Sequence, residues 1–120
     1  MRFLHYRGKV PPKFAHPAEE ELAELLDAEG IPWEYEPHTF PLEHGPDGTV
    51  HEAITPDFYL PEANTYIECT VMKQAHTTKK NRKVRKLRER YGEVVTILYR
   101  RDFQRLREKY RESGADLGAD

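Results

Sequence analysis

Residues 65–72 read Thr-Tyr-Ile-Glu-Cys-Thr-Val-Met, and just upstream residues 55–60 read Thr-Pro-Asp-Phe-Tyr-Leu. The first stretch is short and rich in β-branched and aromatic side chains, which predicts a central strand. Glu68 lies in its middle. A carboxylate buried in a strand is costly unless it is paired or bound to a cation. Asp57 follows Pro56, which has no N–H for a β-ladder and so must bend its strand or lie at an edge.

Working outward, residues 16–29 (HPAEEELAELLDAE) read as a helix. Pro17 suits its first turn, and early glutamates favour the positive end of the helix dipole. Leu22, Ala23, Leu25 and Leu26 form the apolar side, and Gly30 ends the helix. Glu19 is three residues before Leu22 and four before Ala23, so it shares a side with the core contacts. Residues 31–40 (IPWEYEPHTF) alternate as a strand does, residues 45–48 mark a turn, and residues 49–60 read as a second strand interrupted by Pro56.

Downstream, residues 77–91 (TTKKNRKVRKLRERY) read as a very basic helix with Val84 and Leu87 inside. Thr77 or Thr78 can cap it and Gly92 ends it. Residues 93–99 (EVVTILY) read as a buried strand, and Asp102 opens a last helix with Phe103, Leu106 and Tyr110 on one side. The order is αβββαβα, an α/β class domain with a central mixed sheet flanked by helices. The first strands are expected to form an antiparallel meander, and the basic helix a right-handed crossover to a parallel strand. Residues 1–13 read as a basic irregular arm, 14–112 as one domain and 113–120 as a polar tail.

The net charge of −2 conceals a sharp segregation. Residues 14–72 hold fourteen Asp and Glu and no Lys or Arg, whereas fifteen of the nineteen Lys and Arg fall in residues 73–111. Such asymmetry points to a polyanionic partner, with an acidic site beside a phosphate-binding surface. A mean hydropathy of −0.86, and the lack of any apolar run near the roughly 20 residues that span a bilayer, lead us to expect no membrane segment. One cysteine, Cys69, allows no internal disulfide, so a cytoplasmic location is expected. The six histidines lack zinc-like spacing and read as surface or capping residues.

Taken in order, Glu19, the segment 30–36 (GIPWEYE), the segment 55–61 (TPDFYLP), Tyr66-Ile67-Glu68-Cys69-Thr70 and the basic helix before 93–99 resemble the PD-(D/E)XK nucleases. The nearest pattern is the phage endonuclease I type of Holliday-junction resolvase. The resemblance runs over residues 14–105 and implies a restriction-endonuclease-like fold and a metal-dependent DNA endonuclease. It implies that Asp57, Glu68 and the Cys69 carbonyl hold Mg²⁺ or Mn²⁺, with Glu19 assisting, a hard-oxygen set suited to those ions. It also implies a homodimer. The substrate stays open among branched, mismatched, nicked and linear DNA, and RNA.

One position departs from the family. The motif ends in a lysine two residues after the glutamate, on the same strand face. Here that residue is Thr70, which can hold a water but brings no charge. Lys73 is the first candidate replacement, re-aimed by a bulge or a strand end. Lys79 or Lys80 from the following helix is the alternative. Lys79, Lys80, Arg82, Lys83 and Arg85 are the candidate contacts to a phosphate backbone.

Each residue also has a plainer explanation. Asp57 can be a turn aspartate, Glu68 an edge-strand charge and Glu19 a helix N-terminal charge. Thr70 can be a strand former, Lys73 a solvated lysine and the basic helix a solvated face. Cys69 and the aromatics Trp33, Tyr35, Phe58 and Tyr59 read as core. The rival to a nuclease is therefore a catalytically inactive nucleic-acid-binding or accessory module on the same fold.

Overall fold

The computed structural model describes residues 3–70, 74–99, 101–105 and 108, and for residues 74–77 the backbone only. Its elements are α1 (Pro17–Ala28), β1 (Glu34–Tyr35), β2 (Phe40–His44), β3 (Val50–Ile54), β4 (Phe58–Leu60), β5 (Thr65–Thr70), α2 (Gln74–Tyr91) and β6 (Val95–Tyr99). Residues 101–105 are again helical, and Asp102 Oδ2 accepts from the Tyr99 N–H at 2.7 Å at that turn. The chain is therefore an α/β protein. Leu106, Tyr110 and the tail 113–120 lie outside the described residues.

A four-stranded sheet runs β1-β4-β5-β6. β1–β4 and β4–β5 are antiparallel, while β5–β6 is parallel with α2 as the connection. The sheet is mixed, as expected, and β5 lies inside it. Alternation along β4 and β5 sends successive side chains to opposite faces. On one face Phe58, Ile67 and Cys69 meet Leu22, Ala23 and Leu26 of α1, with Trp33 and Phe103. On the other, Tyr66 meets Val84 and Leu87 of α2, with Val95, Leu42 and Ile54. Burial on both faces makes β5 a continuous buried run from Tyr66 to Thr70.

Two strand expectations are corrected. The strand expected over 49–60 is two strands in two sheets: β3 pairs with β2 in a separate hairpin, and β4 joins the main sheet. Pro56 lies between them, fully buried and without an N–H to give. The strand expected over 31–40 shortens to Glu34–Tyr35, and Phe40–His44 forms β2. The antiparallel pairing of neighbouring strands thus holds within the β2–β3 hairpin and for β4–β5, but it is divided between two sheets. The expected basic helix starts earlier, at Gln74.

The helix ends follow the sequence closely. His16 Nδ1 accepts from the Ala18 N–H at 3.0 Å as the N-cap of α1, with Pro17 next. Gly30 takes φ +73° after α1 and Gly92 φ +66° after α2, the left-handed values that glycine adopts without steric cost.

The basic arm is irregular but firmly docked. Tyr6 bridges to Trp33 in parallel register, and Phe3 packs edge-on against Trp33 at 5.2 Å. Asp27 of α1 anchors it: its carboxylate accepts from the His5 N–H at 2.8 Å, the Leu4 N–H at 3.1 Å and the Trp33 indole at 3.2 Å. Burial opposes ionisation of Asp27, but these donors outweigh it and hold the carboxyl below the usual range. The stabilisation is therefore present above the ordinary aspartate pKa and is lost as pH falls through the lower folded value. Asp27→Ala strands three donors and should cost about 1–3 kcal/mol in urea unfolding at neutral pH. The gap from wild type should narrow in acid; an equal gap at low pH would dismiss the anchor.

Candidate functional site

Asp57 and Glu68 meet where the β4–β5 ladder stops. Phe58 pairs with Ile67, so continuation of the antiparallel register would set Asp57 against Glu68. Backbone pairing gives way there to side chains. The Asp57 N–H donates to Glu68 Oε1 at 2.8 Å, and the Cys69 N–H donates to Asp57 Oδ2 at 2.8 Å. Each strand's amide is thus held by the other strand's carboxylate. Pro56 before Asp57 has no amide to extend the ladder, and the Glu36 N–H donates to the Asp57 carbonyl at 2.9 Å. Glu36 itself has φ +46°, an uncommon value for a residue with a side chain. Both carboxylates are buried, Glu68 to 2% exposure.

The charge balance at the pair comes from α2. Lys80 Nζ donates to the Cys69 carbonyl at 2.7 Å and lies 3.1 Å from Glu68 Oε2 and 3.8 Å from Asp57 Oδ2. Burial alone would lower the Lys80 pKa, but the Glu68 and Asp57 charges raise it, so the ammonium stays protonated. It offsets the two carboxylates only in part. Burial and then the charge of Glu68 push Asp57 up to about 7, and burial raises Glu68 as well. Lysines 79 and 80 were the alternative to Lys73 for the absent strand cation. It is Lys80 that reaches the carboxylates, while Lys73 lies outside the described residues.

Glu19 stands one step back. Its Oε1 accepts from the Tyr35 hydroxyl at 2.5 Å and from the Ala15 N–H at 3.0 Å. Its negative charge is felt at Asp57, Glu68 and Cys69. Burial and then Glu19 push the Tyr35 hydroxyl far up, so it remains a donor. Among the described residues no three His, Cys, Asp or Glu side chains are gathered closely enough to hold a metal ion. The expected trio therefore resolves into a pair plus a supporting charge. The oxygens of Asp57, Glu68 and the Cys69 carbonyl are nevertheless the hard donors that Mg²⁺ or Mn²⁺ takes, and all three already surround a cation. Thr70 shares the Glu68 face of β5 and is 3% exposed, and its hydroxyl has no hydrogen-bond partner among the described residues. Cys69 packs in the α1-side core, and burial raises its thiol well above the usual range, which suits packing and not nucleophilic attack.

A cavity of about 400 Å³ opens onto the pair, lined by Thr55, Asp57, Glu68, Lys79, Lys80 and Lys83 among others. The expected phosphate contacts divide here. Lys79 is exposed at the cavity, and Lys83 lines it while donating to the Ala53 carbonyl at 3.2 Å. Arg85 is exposed. Arg82 is paired with Glu52 at 2.8 Å. Lys86 binds Glu43 at 2.8 Å and Glu52 at 3.0 Å, and Arg90 binds Glu43 at 2.9 Å. Part of the charge segregation is thus internal: the acidic β2–β3 hairpin is held by the basic helix. Sequence reasoning did not foresee Tyr35 as the partner of Glu19, nor Glu43 and Glu52 as partners of α2. Their spacing along the chain carried no local signal.

No family model matches this chain, and no curated protein or solved structure matches it either.

Proposed function

We propose that the chain is a metal-dependent DNA endonuclease of restriction-endonuclease-like fold, in which Lys80 of α2 takes the place of the lysine absent at Thr70. The single observation that carries this reading is the convergence of Asp57, Glu68, the Cys69 carbonyl and the Lys80 ammonium at the floor of a lysine-lined cavity. The element pattern around it, antiparallel β4–β5 followed by α2 and parallel β6 with a helix on each face, supports the fold assignment.

In this reading Asp57, Glu68 and the Cys69 carbonyl hold Mg²⁺ or Mn²⁺. A bound ion of that kind neutralises phosphodiester charge and makes a bound water more acidic. Lys79 and Lys83 hold the backbone phosphate at the rim. Lys80 presents a positive charge to the phosphate oxygens, where strengthening negative charge in the transition state is best met by a fixed donor. Glu19, kept in place by Tyr35, maintains the negative field that favours a divalent cation. Branched or otherwise structured DNA is the proposed substrate and a homodimer the proposed assembly, both on the family resemblance alone.

The test is cleavage of four-way-junction, nicked and linear DNA with Mg²⁺ or Mn²⁺, with wild type beside Asp57→Asn. Cutting that needs the ion and disappears in the variant is the expected result. Cutting retained by Asp57→Asn would refute the assignment. The charge offset provided by Lys80 favours one rival, a binding module without turnover. Salt-sensitive DNA binding without cutting on any substrate would establish that rival. In either case Lys79→Ala should weaken binding on all sequences alike and reduce the salt slope by about 1.

A further inference from the structure

We infer that Lys80 is a resident counter-ion that a divalent cation must displace, so that filling the site releases the ammonium toward the cavity. The inference rests on the metal-site reading above and adds a coupling to it. The Lys80 ammonium contacts the same three oxygen groups assigned to the ion: the Cys69 carbonyl at 2.7 Å, Glu68 at 3.1 Å and Asp57 at 3.8 Å. Mg²⁺ requires its oxygens at about 2.0–2.1 Å and near-octahedral geometry. An ion drawn to those oxygens would share them with the ammonium at a few ångströms' separation, where two positive charges repel. The two cations therefore compete for the same oxygens.

Two further observations indicate where the lysine goes and what is left unfilled. Lys80 also lines the cavity beside Lys79 and Lys83, so its flexible stem has open space to turn into without unwinding α2. The buried Thr70 hydroxyl, on the Glu68 face of β5, has no partner among the described residues. A water accompanying the ion would satisfy it. A lysine on β5 itself would be held to its strand; one on α2 can leave. Ion binding would thereby place the positive charge among the phosphate-facing lysines only when the site is loaded.

The test measures Mn²⁺ affinity by calorimetry, without DNA, on the full chain and on Lys80→Met, Lys80→Gln and Asp57→Asn. Folding of each variant is checked by circular dichroism, and Lys80→Gln is the alternative should Lys80→Met not fold. Removing the competing charge should tighten Mn²⁺ binding by about 10-fold or more, within the usual range for coupled sites. Asp57→Asn should abolish binding. Unchanged or weaker binding in both Lys80 variants, with Asp57→Asn still blind to Mn²⁺, would overturn the competition while leaving the metal site in place. Absence of binding in wild type and both Lys80 variants would overturn the competition and the metal reading together.

Discussion

Lys80→Ala should destabilise the metal-free protein by about 3–5 kcal/mol, the usual cost of removing one member of a buried ionic group and leaving the other charges uncompensated. The three participants are deeply placed, with side-chain exposures of 18% for Lys80, 10% for Asp57 and 2% for Glu68. Without the ammonium, two buried carboxylates face each other and the Cys69 carbonyl loses its side-chain donor. Urea unfolding in the presence of a chelator measures the loss. Added Mn²⁺ should restore much of it, because a ligand that binds only the folded state stabilises by mass action. A loss below about 1 kcal/mol, typical of an exposed ion pair, would mean that the contact is incidental.

Asp57→Asn should have the opposite effect on stability and a distinct pH signature. In the metal-free protein the Asp57 carboxyl lies at about 7, raised first by burial and then by Glu68. A carboxyl with a folded-state pKa above its unfolded value holds a proton in the folded protein that the unfolded chain has released. Stability therefore falls as pH rises from the ordinary aspartate range through about 7. The change is on the order of a few kcal/mol, since each unit of pKa corresponds to about 1.4 kcal/mol. Asparagine removes this charge, so the variant should be more stable than wild type at pH 8 and nearly equal to it at pH 5. The raised Lys80 pKa acts only in alkali, outside this window. Guanidine unfolding at both pH values checks it; parallel curves for the two proteins would show that Asp57 is not held in the protonated form.

Gain in stability with loss of cleavage would mark a group whose charge serves chemistry at some cost to stability. The same carboxylates account for the local backbone. At the end of the β4–β5 ladder they accept the amides that strand pairing would otherwise satisfy, so each serves both the fold and the site. The buried amide–carboxylate contacts also fix the two side chains relative to each other, the preorganisation that the proposed metal site would need.

Much of this was legible from local pattern. Pro17 and Gly30 bracketed α1, and Gly92 ended α2, because cap and terminus chemistry is set by neighbouring residues. The buried run Tyr66–Thr70 marked β5 and put Glu68 in an environment that demanded a partner. The break at Pro56 was visible, but its consequence was not. Alternation continued across it, and nothing local said that Val50–Ile54 would leave for a hairpin while Phe58–Leu60 joined the sheet. β2 was missed because Pro41 and the mixed Phe40–His44 segment weaken the strand signal.

The cation was the hardest part. Alternation places Thr70 beside Glu68, at the position where the resembled family carries a lysine. It does not say which lysine of a following helix reaches back. That depends on the packing of Val84 and Leu87 against Tyr66 and Val95, which turns Lys80 inward and leaves Lys79 at the rim. Charge segregation was likewise visible as a pattern, while its division between a hairpin clasp and the cavity rim needed the tertiary contacts of Glu43 and Glu52.

The most direct measurement is DNA cleavage with Mn²⁺ by wild type, Lys80→Ala and the double variant Lys80→Ala/Thr70→Lys, each verified as folded. The expected result is cutting by the wild type, a loss of about 100-fold or more in Lys80→Ala as for removal of a transition-state donor, and partial recovery in the double variant, where the lysine is placed on the strand. Wild-type rates in Lys80→Ala, or cutting that is indifferent to both positions, would contradict it.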